Sequence, residues 1–429
     1  MIRRCAAYEF RASRIFILRM SRLSSSASHV LPGAGPTRSI VALSFGACGS
    51  SAALRVCDPL LPRLTVEYGV GLSAAAQTVT AFAVAYGVLQ LAYGPIGDRF
   101  GKYRTINIAT LACAFTSFAC AFAPTLNALV AARLLSGAAA GALIPLSMAW
   151  IGDMIAYERR QSVLARFLVG QMFGFALGQM LGGLGADYFN PRYVFLALGL
   201  WFIGAAWLMW HFAPPPAHAA PLNAGGNVVG RFVAVLKVPW ARRVLATIFL
   251  EGVLLGALAF IPTHLHRVYG LPLTVAASIA MLYGVGGLAF AAVSSVLVHR
   301  LGEAGLATTG AILLALGFGA IALTKFVFVA TLSCLLVGFG LYMLHNTLQV
   351  NATQMAPTQR GSSLALFAAW LFIGQSTGVS LAGYTSERFG TSATILAAGL
   401  LLLMLGLLFG AALRRRGSVR SASGCIGQR

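Results

Sequence analysis

Among the charged side chains within long apolar runs, Arg55, Asp58, Arg133 and Glu251 stand out. A charge within a membrane-spanning helix costs ~3 kcal/mol or more, so it faces the interior and finds a partner. A carboxylate there can carry a proton, neutral when protonated and ion-paired when not. Asp58 belongs to Asp58-Pro59-Leu60-Leu61-Pro62, at the far end of the first apolar run. Arg133 lies in the fourth run, which crosses in the opposite direction, so the two sit at similar depth. They are expected to face each other, and protonation of Asp58 to break the pair. Arg55 complicates this, because i,i+3 spacing lets it reach Asp58 along the same helix. The alternative is a purely structural ion pair. Glu251 sits eight residues beyond Arg243, or ~12 Å of helix rise. It either carries a proton, meets a cationic substrate or is hydrogen-bonded within the fold.

These residues matter only if the runs around them are membrane spans. The chain has 429 residues, 58% hydrophobic and 10% charged, where a soluble protein carries about 25% charged. Lipid leaves backbone groups no partners, so spans must be helices or a closed barrel. Barrel strands alternate polar and apolar residues; these runs are apolar all round and are therefore helices. They recur at 40–61, 74–94, 105–122, 128–151, 164–186 and 193–212, then at 244–265, 275–298, 305–323, 327–350, 362–383 and 392–412.

The net charge of +21 comes from 31 Lys and Arg against 10 Asp and Glu. In a soluble chain it would suggest nucleic acid. Here the basic residues lie between runs, where they set orientation. With both termini cytoplasmic, 24 fall on the cytoplasmic side and five outside. That asymmetry supports twelve spans and no nucleic-acid partner. The seven cysteines show no metal or redox spacing, so no metal or cofactor is expected.

The halves repeat at an offset near 200 residues. Gly174 matches Gly374, Gly178 matches Gly378, Gly183 matches Gly383, and Arg99 matches Arg300 at 201. The expected fold is an all-α membrane protein of twelve transmembrane helices in two pseudo-symmetric six-helix bundles. Its expected parts are a basic, disordered cytoplasmic tail at 1–38, bundles at 39–212 and 244–412, a cytoplasmic linker at 213–243 and a basic tail at 413–429. Such an arrangement places a substrate site between the bundles near the midplane.

Between runs two and three lies Gly94-Pro95-Ile96-Gly97-Asp98-Arg99-Phe100-Gly101-Lys102-Tyr103-Arg104. Its Gly94, Asp98, Arg99, Gly101, Lys102 and Arg104 resemble the loop signature of the major facilitator superfamily. The resemblance implies a latch that holds the bundles together on the cytoplasmic face. Gly94 would allow close helix approach, Asp98 would meet a helix N-terminus, and Arg99 would pair with Asp153 at the inner end of run four. The alternative is basic residues serving orientation alone. The second copy has Ser295, His299, Arg300 and Gly302 but no acid, so one latch is expected.

Two further stretches carry the resemblance. Leu129-x3-Arg133-x3-Gly137-x3-Gly141 is similar to the family's fourth-span motif, whose basic residue serves proton coupling. Gly170, Gly174, Gly178, Gly182 and Gly183 resemble the fifth-span motif of its drug:proton antiporters, with Gln179 where proline is usual. Spacing of four puts the first four glycines on one face, a packing seam against another helix. Tyr86, Gln90 and Asn346 are the candidate cavity residues. His264 and His266 read as solvated outer-loop residues.

No HExxH or nucleotide-binding lysine motif is present, and the GxSxG match Gly374-Gln375-Ser376-Thr377-Gly378 lies inside the eleventh apolar run rather than on a strand-to-helix turn, so neither an enzyme nor ATP-driven transport is expected. The resemblance implies a secondary transporter in a bacterial inner membrane, working as a monomer on protons and a small-molecule substrate. Proton-coupled efflux of a small hydrophobic or amphipathic compound is the leading expectation. A proton symporter or facilitator for a sugar or organic acid stands second, and a non-transporting receptor third.

Overall fold

The computed structural model describes residues 34–213 and 228–426. Most of the tail at 1–38 and residues 214–227 of the linker lie outside the described residues. All regular elements among the described residues are helical.

The first half contains Ala34–Arg55, Leu72–Phe100, Lys102–Ala121, Leu126–Met154, Tyr157–Asp187 and Pro191–His211. The second contains Pro239–Tyr269, Leu273–Leu323, Val327–Gln354, Arg360–Phe389 and Thr391–Ile426. Among the described residues, nine segments are long and apolar enough to cross a membrane. Leu273–Leu323 holds two of the expected spans, folded across Gly302. Ala34–Arg55 and Lys102–Ala121 complete the expected twelve, numbered spans 1 to 12 below. Each half has its own apolar core, one around Leu43, Phe82 and Phe202, the other around Ile248, Leu314 and Phe318.

Helices outrun their apolar stretches. Span 2 continues as helix through Pro95 to Phe100, so the charged stretch is mostly helix rather than a turn. Only Gly101 breaks it, at φ +88°, and its counterpart Gly302 breaks the second half at φ +63°. An L side chain at either would be strained. A short helix, Val228–Lys237, lies within the expected linker, and span 12 runs past 412 to Ile426.

The fifth-span glycines form a seam along span 1. A Cβ on Gly174 would strike the Cys48 carbonyl oxygen, one on Gly178 that of Ala52, and one on Gly182 that of Val56. Gly170 approaches Ser44. Gly374 and Gly378 repeat this against the Phe249 and Val253 carbonyls. Gly183 is different: it faces Thr274 and Ala277 of the other bundle, as Gly383 faces Ser73 and Ala76.

Gly174→Leu is therefore expected to cost about 1–3 kcal/mol or more by overpacking, because the obstacle is backbone and cannot rotate away. Gly94→Ala should melt like the native protein, since nothing lies within 4 Å of a Cβ there. Thermal unfolding of both variants in detergent checks the contrast; equal melting temperatures would remove the seam as a packing device.

Candidate functional site

A cavity of about 2550 Å³ lies between the bundles. It opens at the face carrying Asp98, Arg99, Lys102 and Arg104 and reaches inward to Arg55, Tyr283 and Gln375. Tyr86, Gln90 and Asn346 all line it. Tyr86 touches the Phe372 ring of the other bundle, centroids 4.6 Å apart.

Near the inner end, Arg55 Nη1 meets Asp58 Oδ2 at 3.5 Å, and Gln179 Nε2 donates to the same oxygen at 3.3 Å. Asp58 is buried and its Oδ1 has no hydrogen-bond partner among the described residues. The expected Asp58–Arg133 pair is absent among the described contacts. Arg133 instead donates from Nε to the Thr78 carbonyl at 3.2 Å and stacks over Phe82 at 4.1 Å. Depth along the membrane brought Asp58 and Arg133 to one level, but helix rotation gave Asp58 to Arg55 and Gln179. Gln179, the departure from the antiporter pattern, is thus a donor to the buried acid.

Glu251 is fully buried in span 7. Its Oε2 lies 3.0 Å from His345 Nδ1 of span 10, and its Oε1 has no hydrogen-bond partner among the described residues. His345 lines the cavity and completes a second acid-based pair. The sequence marks His345 as polar within an apolar run, but gives no sign that it faces Glu251.

At the open face, Asp153 pairs with Lys102 at 2.5 Å, and Lys102 also reaches Asp98 at 3.4 Å. Lys102 thus sits between two carboxylates. The expected Arg99–Asp153 pair is replaced: Arg99 lies over the Phe100 ring at 5.3 Å. The helix continues through Phe100, so the arginine and the lysine three residues later sit on different sides of the Gly101 break. The expected close approach at Gly94 is also absent with this face open.

The opposite end is closed by a feature the sequence reading missed. Asp187, at the end of span 5, accepts hydrogen bonds from the Leu273 and Thr274 amides at 3.0 and 2.6 Å. Glu387, near the end of span 11, accepts one from the Ser73 amide at 3.0 Å. Each acid caps the first turn of a helix in the other bundle, where amides are free and the dipole favours an anion. Asp187 and Glu387 are 200 residues apart, and so are Ser73 and Leu273. The repeat offset was the available signal. His264, expected in solvent, is buried here, bonded to Thr391 Oγ1 at 2.9 Å and the Ile321 carbonyl at 3.0 Å. The helix of span 7 continues to Tyr269 and carries His264 into the second bundle's core.

Two repeated helical bundles thus enclose a cavity open at one face. The chain belongs to the Major Facilitator Superfamily, whose pattern it matches over residues 43–379. It is 25% identical to the Bacillus subtilis uncharacterized MFS-type transporter YybF over 45% of this chain and 48% of that protein. It is 28% identical to the Streptococcus pneumoniae multi-drug resistance efflux pump PmrA over 38% of this chain and 41% of that one. The chain thus spans about half the length of these curated relatives. A bacterial homolog of the human lysosomal transporter Spinster, in an inward-facing and occupied conformation, shares the fold at TM-score 0.73 and 15% identity, covering 89% of this chain and 97% of that one. The protein is a multi-pass integral membrane protein.

Proposed function

We propose that the protein exports a small hydrophobic or amphipathic compound by alternating access, driven by protons. The observation that carries this is a buried acid, Asp58, with one unpartnered oxygen, beside the inner end of a largely apolar cavity between two bundles. Asp58 is the proton carrier, held by Arg55 and Gln179. Arg133 contributes positive charge from behind Phe82, and Glu251 with His345 forms a second proton-accepting pair. Tyr86, Gln90 and Asn346 contact the substrate. Gly94, Asp98, Arg99, Gly101, Lys102, Arg104 and Asp153 form the latch that closes the face now open, taken to be cytoplasmic.

The second reading is symport of an organic acid. The Arg55 cation at the inner end favours it over sugar transport.

Reconstitution into vesicles with an imposed pH gradient tests the coupling. A compound from a tolerance screen, in cells with and without the transporter, should shift lumenal pH when added. A shift that opposes the gradient-driven substrate movement marks antiport, and one that accompanies it marks symport. A bound, transported compound that moves no protons would sink the coupling.

A further inference from the structure

Arg55 is placed differently from the other buried cation. Arg133 is sealed between Phe82 and the Thr78 carbonyl and does not border the cavity. The Arg55 side chain is 12% exposed and lines the cavity's inner end. Its guanidinium carbon lies 5.8 Å from the Phe175 ring of span 5 and 5.8 Å from the Tyr283 ring of span 8. It thus sits where the two bundles meet, held between aromatic faces from both.

Its protein partner engages it only loosely. A guanidinium offers five N–H donors, and carboxylate contacts that satisfy it are 2.7–2.9 Å long and often bidentate. Arg55 has one such contact, at 3.5 Å, to an oxygen that Gln179 also uses. Its Nε has no hydrogen-bond partner among the described residues. The surrounding walls are apolar and aromatic, and the approach from the open face passes Arg99, Lys102, Arg104 and Arg231 against Asp98 and Asp153. An excess of positive charge along a low-dielectric cleft concentrates anions.

We propose that Arg55 anchors an amphipathic organic anion: a carboxylate on an aromatic or similarly bulky apolar body. The carboxylate takes the guanidinium donors that Asp58 leaves open, and the body lies against Phe175 and Tyr283. This rests on the reading above that the cavity is the substrate site, and it holds for either direction of transport.

Three probes with one body separate the possibilities: 1-naphthoate, neutral 1-naphthamide and cationic 1-naphthylmethylammonium. Binding to the purified full-length protein in detergent is measured by titration calorimetry. Naphthoate is expected to bind about 10- to 100-fold tighter than the amide, the range of a charge-assisted contact. Arg55→Gln should erase that preference, and Arg55→Lys should keep part of it. If Arg55→Gln does not fold, the native protein's ranking of the three probes and Arg55→Lys decide. Equal or tighter binding of the amide or the cation overturns the proposal, as does a preference that survives Arg55→Gln, or no binding by any probe. Proton-coupled transport of a neutral or cationic compound, with no preference for anions, would overturn this inference and leave the transport reading intact. Naphthoate that binds but is never transported would do the reverse.

Discussion

Asp58→Asn should reduce gradient-driven substrate accumulation by about 100-fold or more, while the protein still folds and exchanges substrate. The side chain is buried, and its hydrogen-bond partners among the described residues, Arg55 and Gln179, both donate to one oxygen. Asparagine keeps the shape and one acceptor oxygen, so both donors still find a partner. What it loses is the ability to change charge. A buried carboxylate without full pairing costs several kcal/mol, and each ~1.4 kcal/mol is a tenfold change in population. That is enough for protonation to set which conformation is favoured. Counterflow, which needs no proton gradient, should stay within about threefold of native, since the substitution leaves the cavity walls intact. Accumulation measured beside counterflow in the same vesicles separates the two effects. Accumulation that survives would take Asp58 out of the coupling and leave Glu251 and His345 as the acid pair to test.

The second large effect concerns the closed face. Removing both caps, with Asp187→Ala and Glu387→Ala together, should favour opening at that end. Side-chain caps contribute about 0.5–2 kcal/mol each, and the charge–dipole attraction about 0.3–1 more. Two caps therefore bias the equilibrium by roughly 2–6 kcal/mol, or about 30-fold or more. Each single variant should give about half the free-energy shift, because distant, independent sites add. Spin labels at Val66 and Phe326, exposed on opposite bundles near the closed end, report the separation. The double variant should lengthen it. Asp98→Asn, which weakens the latch on the other face, should leave the label pair in its short-distance state. An unchanged distance distribution in the double variant would show that the caps do not gate the protein.

Some of this was legible in the sequence, for physical reasons. Lipid demands helices that are apolar all round, so the runs announce themselves without a partner. The glycine period of four gives a face directly, and the structure seats that face on span 1 carbonyls. Other features depend on what hydropathy does not record. Hydropathy marks where lipid ends, not where a helix ends, so Leu72–Phe100 ran further than its apolar stretch. Depth is readable from position along a run, but rotation about the helix axis is not. Asp58 therefore met Gln179 and Arg55 rather than Arg133, and Glu251 met His345. Asp153 chose Lys102 over Arg99 for the same reason, with the Gly101 break adding a change of direction. Asp187 and Glu387 looked like ordinary span ends. Only in three dimensions does each meet the amides of a helix about a hundred or three hundred residues away.

The reciprocal caps also limit how the halves can move. One anchored point between two rigid bodies leaves all three rotations free. Two separated anchors, Asp187 on Leu273 and Thr274 and Glu387 on Ser73, define a line and leave only rotation about it. While both hold, the bundles can swing apart at the cavity's mouth but cannot twist against each other or slide. The closed end is thus a hinge pin as well as a seal. Losing one acid should loosen the pin on its own side, where the other bundle then rests on packing alone.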